Sequence, residues 1–330
     1  MDLLNDWDAF MQHRPLLEAT ATDSGVRPAP TDIYISTKTL IAFMDRPMCL
    51  KPLFWAIQVL PYNTPTCGIV KKQMKFNCAN ADEVKEMEHI VESCPYAYSN
   101  IISHIESATK FKDVRKVTVG LSRKDIISHR TKTKGAFYNC FVVIVRVFVD
   151  EAFREFHVKV FNTGKIEIPG IKEDRHLQPV MDVLMLALNA IQPVEYVQKS
   201  EEIVLINSNF NCNYFINREH LYTILRETYG ISAVYDPCSY PGIQCKLYFT
   251  EKFEIVVSPI NGAKPVSVMI FRTGSVLIVG KCTEAVLHSV YAYLNDLFGL
   301  VFTSIVDLNC TIVPKKEPKI KNYRKQIMVN

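Results

Sequence analysis

Apolar and polar residues alternate in two similar stretches of the chain. Phe161 to Gly170 reads FNTGKIEIPG and Phe271 to Gly280 reads FRTGSVLIVG, so that Phe, Thr, Gly, Ile and Gly coincide 110 residues apart. In both stretches apolar residues occupy every second position on either side of the Thr-Gly pair. Such alternation indicates two strands joined by a tight turn, with the glycine supplying a positive φ. Each stretch is therefore predicted to be a β-hairpin in an internal repeat.

A helix is predicted after each hairpin. Thr283 is a suitable N-cap, and the apolar residues from Leu287 to Phe298 keep the i, i+3, i+4, i+7 spacing of an amphipathic helix. After the first hairpin, Pro179 suits the first turn of a helix, and the residues from Val180 to Leu188 are almost entirely apolar. We expect this earlier helix to be largely buried.

A strand and a short helix are predicted before each hairpin. In the second copy the strand covers Ile203 to Phe210, and Asn217 caps the helix that follows. In the first copy the strand covers Ile33 to Phe43, and the short helix lies around Leu50 to Val59. The order of elements in the two copies is therefore the same.

The first copy is longer than the second by about 60 residues, which predicts an insertion at roughly 61–134. Within it, Cys67 to Phe76 is predicted to be a strand and Asn80 to Glu92 a helix. Asn80 and Glu83 have the spacing of a capping box at the start of that helix.

These elements predict an α+β fold with four segments. Residues 1–31 form an acidic, proline-containing N-terminal segment, and residues 32–198 form the first repeat with its insertion. Residues 199–300 form the second repeat, and residues 301–330 form a basic C-terminal tail. We expect the N-terminal segment to be a short helix or disordered, and the tail to be mobile.

Composition favours an intracellular binding protein. The chain of 330 residues is 48% apolar and 22% charged, a composition that excludes a disordered chain. We expect no membrane span, because no apolar run approaches the roughly 18 to 20 residues that a spanning helix needs. Its ten cysteines follow neither a disulfide scaffold nor a zinc site and are interpreted as reduced, mostly core thiols. Motifs for phosphate, dinucleotide, zinc-protease and hydrolase chemistry are absent, so no cofactor or metal is expected.

Basic residues are concentrated in two segments, although the net charge is only +4. Residues 110–134 contain nine basic and two acidic residues, and residues 315–325 contain six basic and one acidic. This segregation is typical of a polyanion binder, but a solvated basic loop and a basic tail explain it equally well. Lys112 to Lys134 is either an added edge strand beside nucleic acid or one whose lysines guard that edge from aggregation.

Four asparagines occupy every second position of one segment: Asn207, Asn209, Asn211 and Asn213. In an extended chain all four amides point from one face of a sheet. Because burying four unpaired amides is costly, that face is expected to be wet or to meet a polar partner. An asparagine-rich strand end or turn is the alternative.

The repeated order of elements resembles the TATA-box-binding protein family over about Asp32 to Phe298. The Pro-Thr-Asp-Ile start, the long insertion, and the KGAFYNCF and DPCSYPGIQC segments are more similar to the TATA-binding-protein-like proteins of large nucleocytoplasmic DNA viruses. Ser239 to Ile243 is similar to the family's Phe-Pro-Gly-Leu stretch. The resemblance implies a saddle of two pseudo-repeats, each a curved antiparallel sheet with two helices, whose concave face binds the DNA minor groove.

The resemblance also implies roles for individual residues. Aromatic side chains wedge between base steps at Phe137, Phe161, Tyr240 and Phe271, the tyrosine standing where the family has Phe. Asn207, Asn209 and Asn211 are candidates for contacts to the floor of an A·T-rich groove, although the position of the family's central asparagine is occupied here by Leu205. Basic residues expected to contact phosphates are Lys165, Lys172, Lys246, Arg272 and Lys281. Each ring is alternatively a packed strand residue, and each cation alternatively a solvated surface charge.

The implied function is transcription initiation by a viral protein that binds double-stranded, A·T-rich DNA and recruits initiation factors or RNA polymerase. It would act in the host nucleus or a cytoplasmic viral factory, or be packaged in the virion. The alternative is a protein-docking module with the same fold but no sequence-specific DNA binding. An enzyme using Cys238 with His220, or Cys140 with His157, is a third hypothesis, but no orienting group or oxyanion motif accompanies either pair.

Overall fold

A computed structural model of the chain describes residues 26–107, 109–127, 137–191 and 195–308. Most of the N-terminal segment, the end of the basic stretch at 128–134 and residues 309–330 of the basic tail lie outside the described residues. Residues 301–305, assigned to the tail from the sequence, belong to the last helix. The chain divides into two units. The N-terminal unit comprises residues 36–206, and the C-terminal unit comprises the described residues 26–35 and 207–308.

Seven antiparallel strands form the sheet of the N-terminal unit, in the order β1-β7-β6-β5-β2-β4-β3. Its strands and helices are β1 Tyr34–Met44, α1 Leu50–Ala56, β2 Gly68–Cys78, α2 Ala81–Ser93, β3 Ala97–Ser107, β4 Lys110–Gly120, α3 Arg123–Ile127, β5 Cys140–Val149, β6 Ala152–Phe161, β7 Lys165–Ile171 and α4 Leu177–Asn189. A 3₁₀ turn at Asp174–His176 leads into α4. The next strand, β8 Gln198–Asn211, ends in the C-terminal unit.

The C-terminal unit has the strand order β11-β10-β12-β13-β8, with β9 paired to β10. Its remaining elements are α5 Arg218–Thr223, a π-helical turn Ile224–Thr228, β9 Ser232–Val234, β10 Ile243–Phe249, β11 Ile255–Val256, β12 Lys264–Ile270, β13 Ser275–Gly280 and α6 Glu284–Ile305. The two predicted hairpins are present as β6-β7 and β12-β13, and both are antiparallel.

Glycine is required at the turn of both hairpins. Gly164 and Gly274 have φ of +83° and +77°. A Cβ added to Gly164 would lie 2.4 Å from the carbonyl oxygen of Arg46, and one added to Gly274 would lie 2.3 Å from that of Tyr214. The left-handed backbone and the neighbouring carbonyl therefore both exclude a side chain.

Three helices begin at the predicted N-caps. The side chains of Asn80, Asn217 and Thr283 accept hydrogen bonds from backbone N–H groups in the first turns of α2, α5 and α6. The Glu83 carboxylate accepts in turn from the N–H of Ala79, at 3.0 Å. These bonds satisfy N–H groups that a helix start leaves unpaired.

Apolar burial on one side of the sheet forms the core of the N-terminal unit. Phe54 of α1 makes edge contacts with Phe76 and Phe141, at ring-centroid distances of 5.5 Å and 6.2 Å. The same core includes Leu184 and Leu188 of α4. The expectation that α4 is largely buried is wrong for its outer side, because Leu186 is 76% exposed.

The last helix, α6, packs on the C-terminal unit as a core helix. Tyr291 and Phe302 contact Phe210 and Tyr214 edge-on, at 4.9 Å and 5.0 Å between ring centroids. By length and composition α6 is apolar enough to cross a membrane, which the sequence expectation missed. Eight of its residues are buried in the unit, so we interpret it as a core helix.

Strand β4 is an interior strand, so the prediction of an edge strand at Lys112 is wrong. β4 pairs with β2 on one side and β3 on the other. β3, which the sequence did not predict, is the terminal strand of this sheet in the described part of the chain. Its apolar residues are irregularly spaced, and a register shift between Ile101 and Ser103 interrupts the alternation that reveals a strand.

Part of the basic stretch is neutralised inside the N-terminal unit. Asp113 is fully buried and accepts a hydrogen bond from Arg115 Nε at 2.7 Å, and its Oδ2 lies 2.8 Å from His104 Nδ1. Arg115 also pairs with Glu88 of α2. Burial alone would raise the pKa of Asp113, but the hydrogen bonds from Arg115 and His104 hold it below 3.8.

Two expectations about other side chains need correction. Asn213 lies beyond the end of β8, with φ of +62°, and donates to the carbonyl of Ala29, so it does not share the strand face of the other asparagines. Of the nine cysteines in the described residues, four are buried: Cys78, Cys140, Cys212 and Cys245. The thiols are therefore not mostly in the core.

Replacing Asp113 with Asn is expected to lower the free energy of unfolding by about 3 kcal/mol at neutral pH, because it leaves the buried Arg115 without its main counter-charge. The pKa of Asp113 is lowered in the folded state, so its stabilisation is present above the unfolded-state value and is lost as the pH falls through the folded-state value. Urea unfolding between pH 7 and pH 3 should show that the free energies of unfolding of the wild type and the Asp113→Asn variant converge as the pH falls. The exposed Glu92→Gln variant should stay within about 0.5 kcal/mol of the wild type, and a pH-independent difference for Asp113→Asn would contradict this assignment.

Candidate nucleic-acid interface

The open face of the N-terminal unit is the side of its sheet opposite to the buried core. Side chains that point to the core alternate along each strand, as with Phe141, Val143 and Val145 on β5 and Val158 and Val160 on β6, all of which are fully buried. The residues between them point to the other side of the sheet. The open face therefore carries the even-numbered residues of β5 and the odd-numbered residues of β6.

A row of directly opposed residues crosses the open face from one strand to the next. Residues paired across antiparallel strands point to the same side of the sheet. Its paired residues are Asn100 on β3 with Lys116 on β4, Lys116 with Lys75 on β2, Cys140 on β5 with Phe161 on β6, and Lys165 on β7 with Phe43 on β1. These segments join in one line because Lys75 and Cys140 adjoin the pair Met74–Phe141, and Phe161 and Lys165 adjoin the pair Val160–Ile166. Three lysines and two phenylalanines thus lie in one line, which we call the basic-aromatic row.

Aromatic rings lie beside the lysines of this face. The ammonium nitrogen of Lys75 is 3.6 Å from the centroid of Tyr138, and that of Lys165 is 5.1 Å from the centroid of Phe161. Lys159, one position before Val160 on β6, is 6.0 Å from the centroid of Phe137. Cation–π attraction holds each ammonium over a ring and leaves its charge intact.

The rings at this end of the sheet are accessible. Phe137 is 62% exposed, Tyr138 49% and Phe43 38%, and Phe161 is half-buried. The pKa of Tyr138 is lowered, mainly by its hydrogen bond with Lys75. Lys159 also pairs with Glu167 at 2.6 Å, so part of its charge is compensated within the unit. A cluster of exposed rings among cations is a surface suited to a ligand that is both planar and anionic.

The other end of the same face is covered by chain. Arg146 donates to the carbonyl oxygens of Tyr62 and Thr64, at 3.0 Å and 2.9 Å. Lys71 pairs with Asp125 of α3 at 2.7 Å and is buried. Only the end of the face that carries the basic-aromatic row is therefore open to a large ligand.

The C-terminal unit places the first three asparagines on one sheet face. Phe210 points to α6, so Asn207, Asn209 and Asn211 point to the opposite side of β8. Asn211 is used within the unit, because its amide nitrogen donates to Ser275 Oγ at 3.1 Å. In the described part of the chain, Asn207 Oδ1 is shielded from solvent and has no hydrogen-bond partner.

Tyr240 and Phe271 form a ring pair in the C-terminal unit. Their centroids are 5.9 Å apart, and the Tyr240 hydroxyl contacts the sulfur of Met269 at 3.7 Å. Met269 alternates with the buried Val268 and Ile270, so this pair lies on the side of the sheet away from the core. Phe271 is only 3% exposed. Tyr240 is the more accessible ring, and a ligand at this end meets it first.

Glycine allows this ring pair to form. A Cβ added to Gly242 would lie 2.9 Å from the Phe271 ring and 3.1 Å from the Tyr240 ring. Burial raises the pKa of Tyr240, so its hydroxyl stays protonated over the ordinary pH range. The pair is therefore both packed and partly accessible.

The other predicted cations are dispersed. Lys246 is exposed and paired with Ser267, on the same side of the sheet as Met269. Arg272 lies in the β12-β13 turn, and Lys172 and Lys281 follow the ends of β7 and β13, all three exposed. Of the predicted basic residues, Lys165 and Lys246 are the ones on the open sheet faces.

Sequence reasoning missed three residues of this surface: Lys75, Tyr138 and Lys159. Lys71, Gln73 and Lys75 alternate in the sequence KKQMK, which is a signal for one polar strand face, and Tyr138 directly follows the predicted Phe137. Lys159 occupies an alternate position before Phe161. The alternation of polar and apolar residues was therefore visible in the sequence. Which of these lysines are accessible to a ligand depends on the loops that cover the other end of the open face.

The residues proposed for catalysis have other neighbours. His157 is paired in register with Ile144, whereas Cys140 is paired with Phe161. His220 Nδ1 lies 3.3 Å from the carbonyl oxygen of Ser304. Burial raises the pKa of the Cys140 thiol, which disfavours the nucleophilic thiolate.

Among the described residues, one group of side chains has ligand atoms close enough to hold a metal ion: Asp150, Glu173 and His176. Asp150 Oδ2 lies 2.9 Å from an Arg154 guanidinium nitrogen and 2.7 Å from His176 Nε2, and Asp150 Oδ1 lies 2.8 Å from an Arg175 guanidinium nitrogen. These cations already neutralise the carboxylate. The group is therefore a structural ion-pair network at the start of α4.

Comparison with known proteins gives a viral relative. No family model matches the chain. A protein of Acanthamoeba polyphaga mimivirus described as "TATA-box-binding protein-like" is 21% identical over 202 residues, covering 56% of this chain and 54% of the relative. The chain thus matches about half the length of that protein. This finding confirms the resemblance to the TATA-binding-protein-like proteins of large DNA viruses.

Among solved structures, the TATA-binding protein of Methanococcus jannaschii overlaps 83% of this chain and 99% of its own, with 10% identity and a TM-score of 0.40. A TM-score of this size does not decide the fold. The α+β class with large antiparallel sheets follows from the strand pairing itself.

Replacing Phe271 with Ala is expected to lower the free energy of unfolding by about 3 kcal/mol or more, because the ring is buried against Tyr240 and Gly242. Replacing the exposed Phe137 with Ala should change it by about 0.5 kcal/mol or less. Urea unfolding of both variants makes the comparison. Equal losses for the two variants would contradict the placement of these rings.

Proposed function

We propose that this chain is a TATA-binding-protein-like transcription factor that binds double-stranded DNA through the open sheet faces of its two units. The observation that supports this most is the basic-aromatic row, which places three lysines and two phenylalanines on one face, beside the exposed rings of Phe137 and Tyr138. Lysines bind phosphates without regard to sequence, and exposed rings are suited to the apolar edges and steps of bases. The viral relative's description agrees with this assignment.

The family resemblance suggests that binding occurs in the minor groove. Phe137 with Phe161 in one unit, and Tyr240 with Phe271 in the other, take the places of the family's wedge residues in two pseudo-repeats. Asn207, Asn209 and Asn211 would face the groove floor, where amides can pair with the acceptors of A·T base pairs. Lys165 and Lys246 would contact phosphates. Helices on the opposite faces remain available to initiation factors or RNA polymerase.

A non-enzymatic role follows from the same assignment. The viral setting of the relative suggests action in the host nucleus, in a cytoplasmic factory or in the virion.

The alternative of a protein-docking module has one observation in its favour. The terminal strand β3 carries Ile101, Ile102 and Ile105, which are 60%, 47% and 40% exposed. An edge strand with exposed apolar residues can add a strand from a partner. The lysines and rings of the open face have no use in that mode, and we therefore favour DNA binding.

Fluorescence anisotropy with labelled A·T-rich and G·C-rich duplexes, at several salt concentrations, tests the proposal. We expect tighter binding to the A·T-rich duplex than to the G·C-rich one. Replacing both Phe137 and Phe161 with Ala should lower the affinity at least about tenfold, which corresponds to about 1.4 kcal/mol of binding free energy. Lys165→Gln and Lys246→Gln should each reduce the slope of log K against log salt by about 0.9. Phe271→Ala is unsuitable for this test because the ring is buried.

Two variants serve as controls on the helix side of the N-terminal unit. Lys85→Gln removes a solvated cation on α2, and Leu186→Ala removes an exposed apolar side chain on α4. Both should bind as the wild type does. Absence of duplex binding at low salt, or equal affinity of the wild type and the Phe137/Phe161 variant, would reject the proposal and favour the docking module.

A further inference from the structure

The outer part of the basic-aromatic row is contributed by the β3–β4 hairpin. Lys116 on β4 faces Lys75 on β2, and Asn100 on β3 faces Lys116 on its other side. Because β4 is paired along both edges, Lys116 does not protect a strand edge. The terminal strand β3 carries no lysine or arginine at all. A guarding role for these cations is therefore contradicted by the topology.

Like charges stand directly opposite each other in this part of the sheet. Lys75 and Lys116 are directly paired across β2 and β4, so two positive charges lie side by side at this point of the sheet. Burial and the charge of Lys71 lower the pKa of Lys116, and the carboxylate of Asp125 raises it in part. The hairpin therefore concentrates positive potential beside the accessible rings.

Polar side chains lie next to Lys116 on the hairpin. Tyr98 is 49% exposed and paired with Thr118, which accepts a hydrogen bond from Gln73 at 3.0 Å. Asn100 is exposed beside it. A ring, an amide and two cations in adjacent positions match a sugar-phosphate backbone better than an apolar partner.

We infer that the β3–β4 hairpin lengthens the DNA contact of the N-terminal unit by binding backbone phosphates beyond the steps reached by Phe137 and Phe161. This inference rests on the proposed function. Two strands spaced about 4.8 Å apart extend the face by about 10 Å. At about 3.4 Å per base pair, that adds about three base pairs on one side of the site.

A series of duplexes trimmed from either end in single base-pair steps tests this inference. For the wild-type chain, removing the outermost base pairs on one side should weaken binding about three- to tenfold. The double variant Lys75→Gln/Lys116→Gln should bind the longest duplex correspondingly less tightly and should not respond to that trimming. Hydroxyl-radical footprints should shorten by about three base pairs on the same side.

Matched variants separate the possible results. Lys85→Gln, on α2 of the same inserted region, should respond to trimming as the wild type does. Tyr98→Ser probes the surface without altering charge and should weaken only the longer duplexes, with circular dichroism confirming that both variants fold. Equal sensitivity of the wild type and the double lysine variant to trimming would overturn the inference. If both proteins then still bind the longest duplex tightly, the proposed function is retained. If no duplex binds to the wild type, the proposed function fails first.

Discussion

Antiparallel sheets have two faces, and in each unit of this protein the core covers only one of them. The alternation of side chains along a strand then fixes what the second face must carry. On β5 and β6 the core side is apolar except for Arg154 at the start of β6, and Lys159 and the accessible rings of those strands are directed to the other side. The candidate interface is a consequence of this division. A one-residue slip of register would exchange the two faces and remove both the core and the basic-aromatic row.

The two faces of the sheet also differ in what their charged residues do. Arg115 belongs to the basic stretch, yet it is buried and paired with the buried Asp113 and the half-exposed Glu88, so its charge is compensated within the unit. Lys72 is also directed inward, where it donates to the carbonyl of Ile57 at 2.7 Å, and burial lowers its pKa to about 8. On the open face of the N-terminal unit, Lys75 and Lys165 lie instead over the rings of Tyr138 and Phe161, an arrangement that holds each ammonium in place without neutralising it. Counting basic residues along the sequence does not distinguish these roles, but strand register does.

Local sequence signals predicted most of the regular elements. Signals that depend on neighbours within a few residues can be predicted from the sequence. They include the Thr-Gly turns, the spacing of α6, and the N-caps at Asn80, Asn217 and Thr283. The position of β3, the interior place of β4 and the covering of Lys71 depend on pairing between distant segments. Sequence placed Phe271 correctly beside a turn but gave no sign that Tyr240 covers it. The packing of a ring against a loop is a tertiary property, and alternation alone does not reveal it.

Lysine acetylation in the presence and absence of an A·T-rich duplex, read by mass spectrometry, tests the central claim most directly. Accessible lysines on the open faces, Lys75, Lys165 and Lys246, should be protected by the duplex. Lys85 on α2, which lies on the helix side, should react equally in both conditions. Protection confined to Lys85, or equal reactivity of all four lysines at saturating duplex, would contradict the assignment of the open faces as the DNA-binding surface.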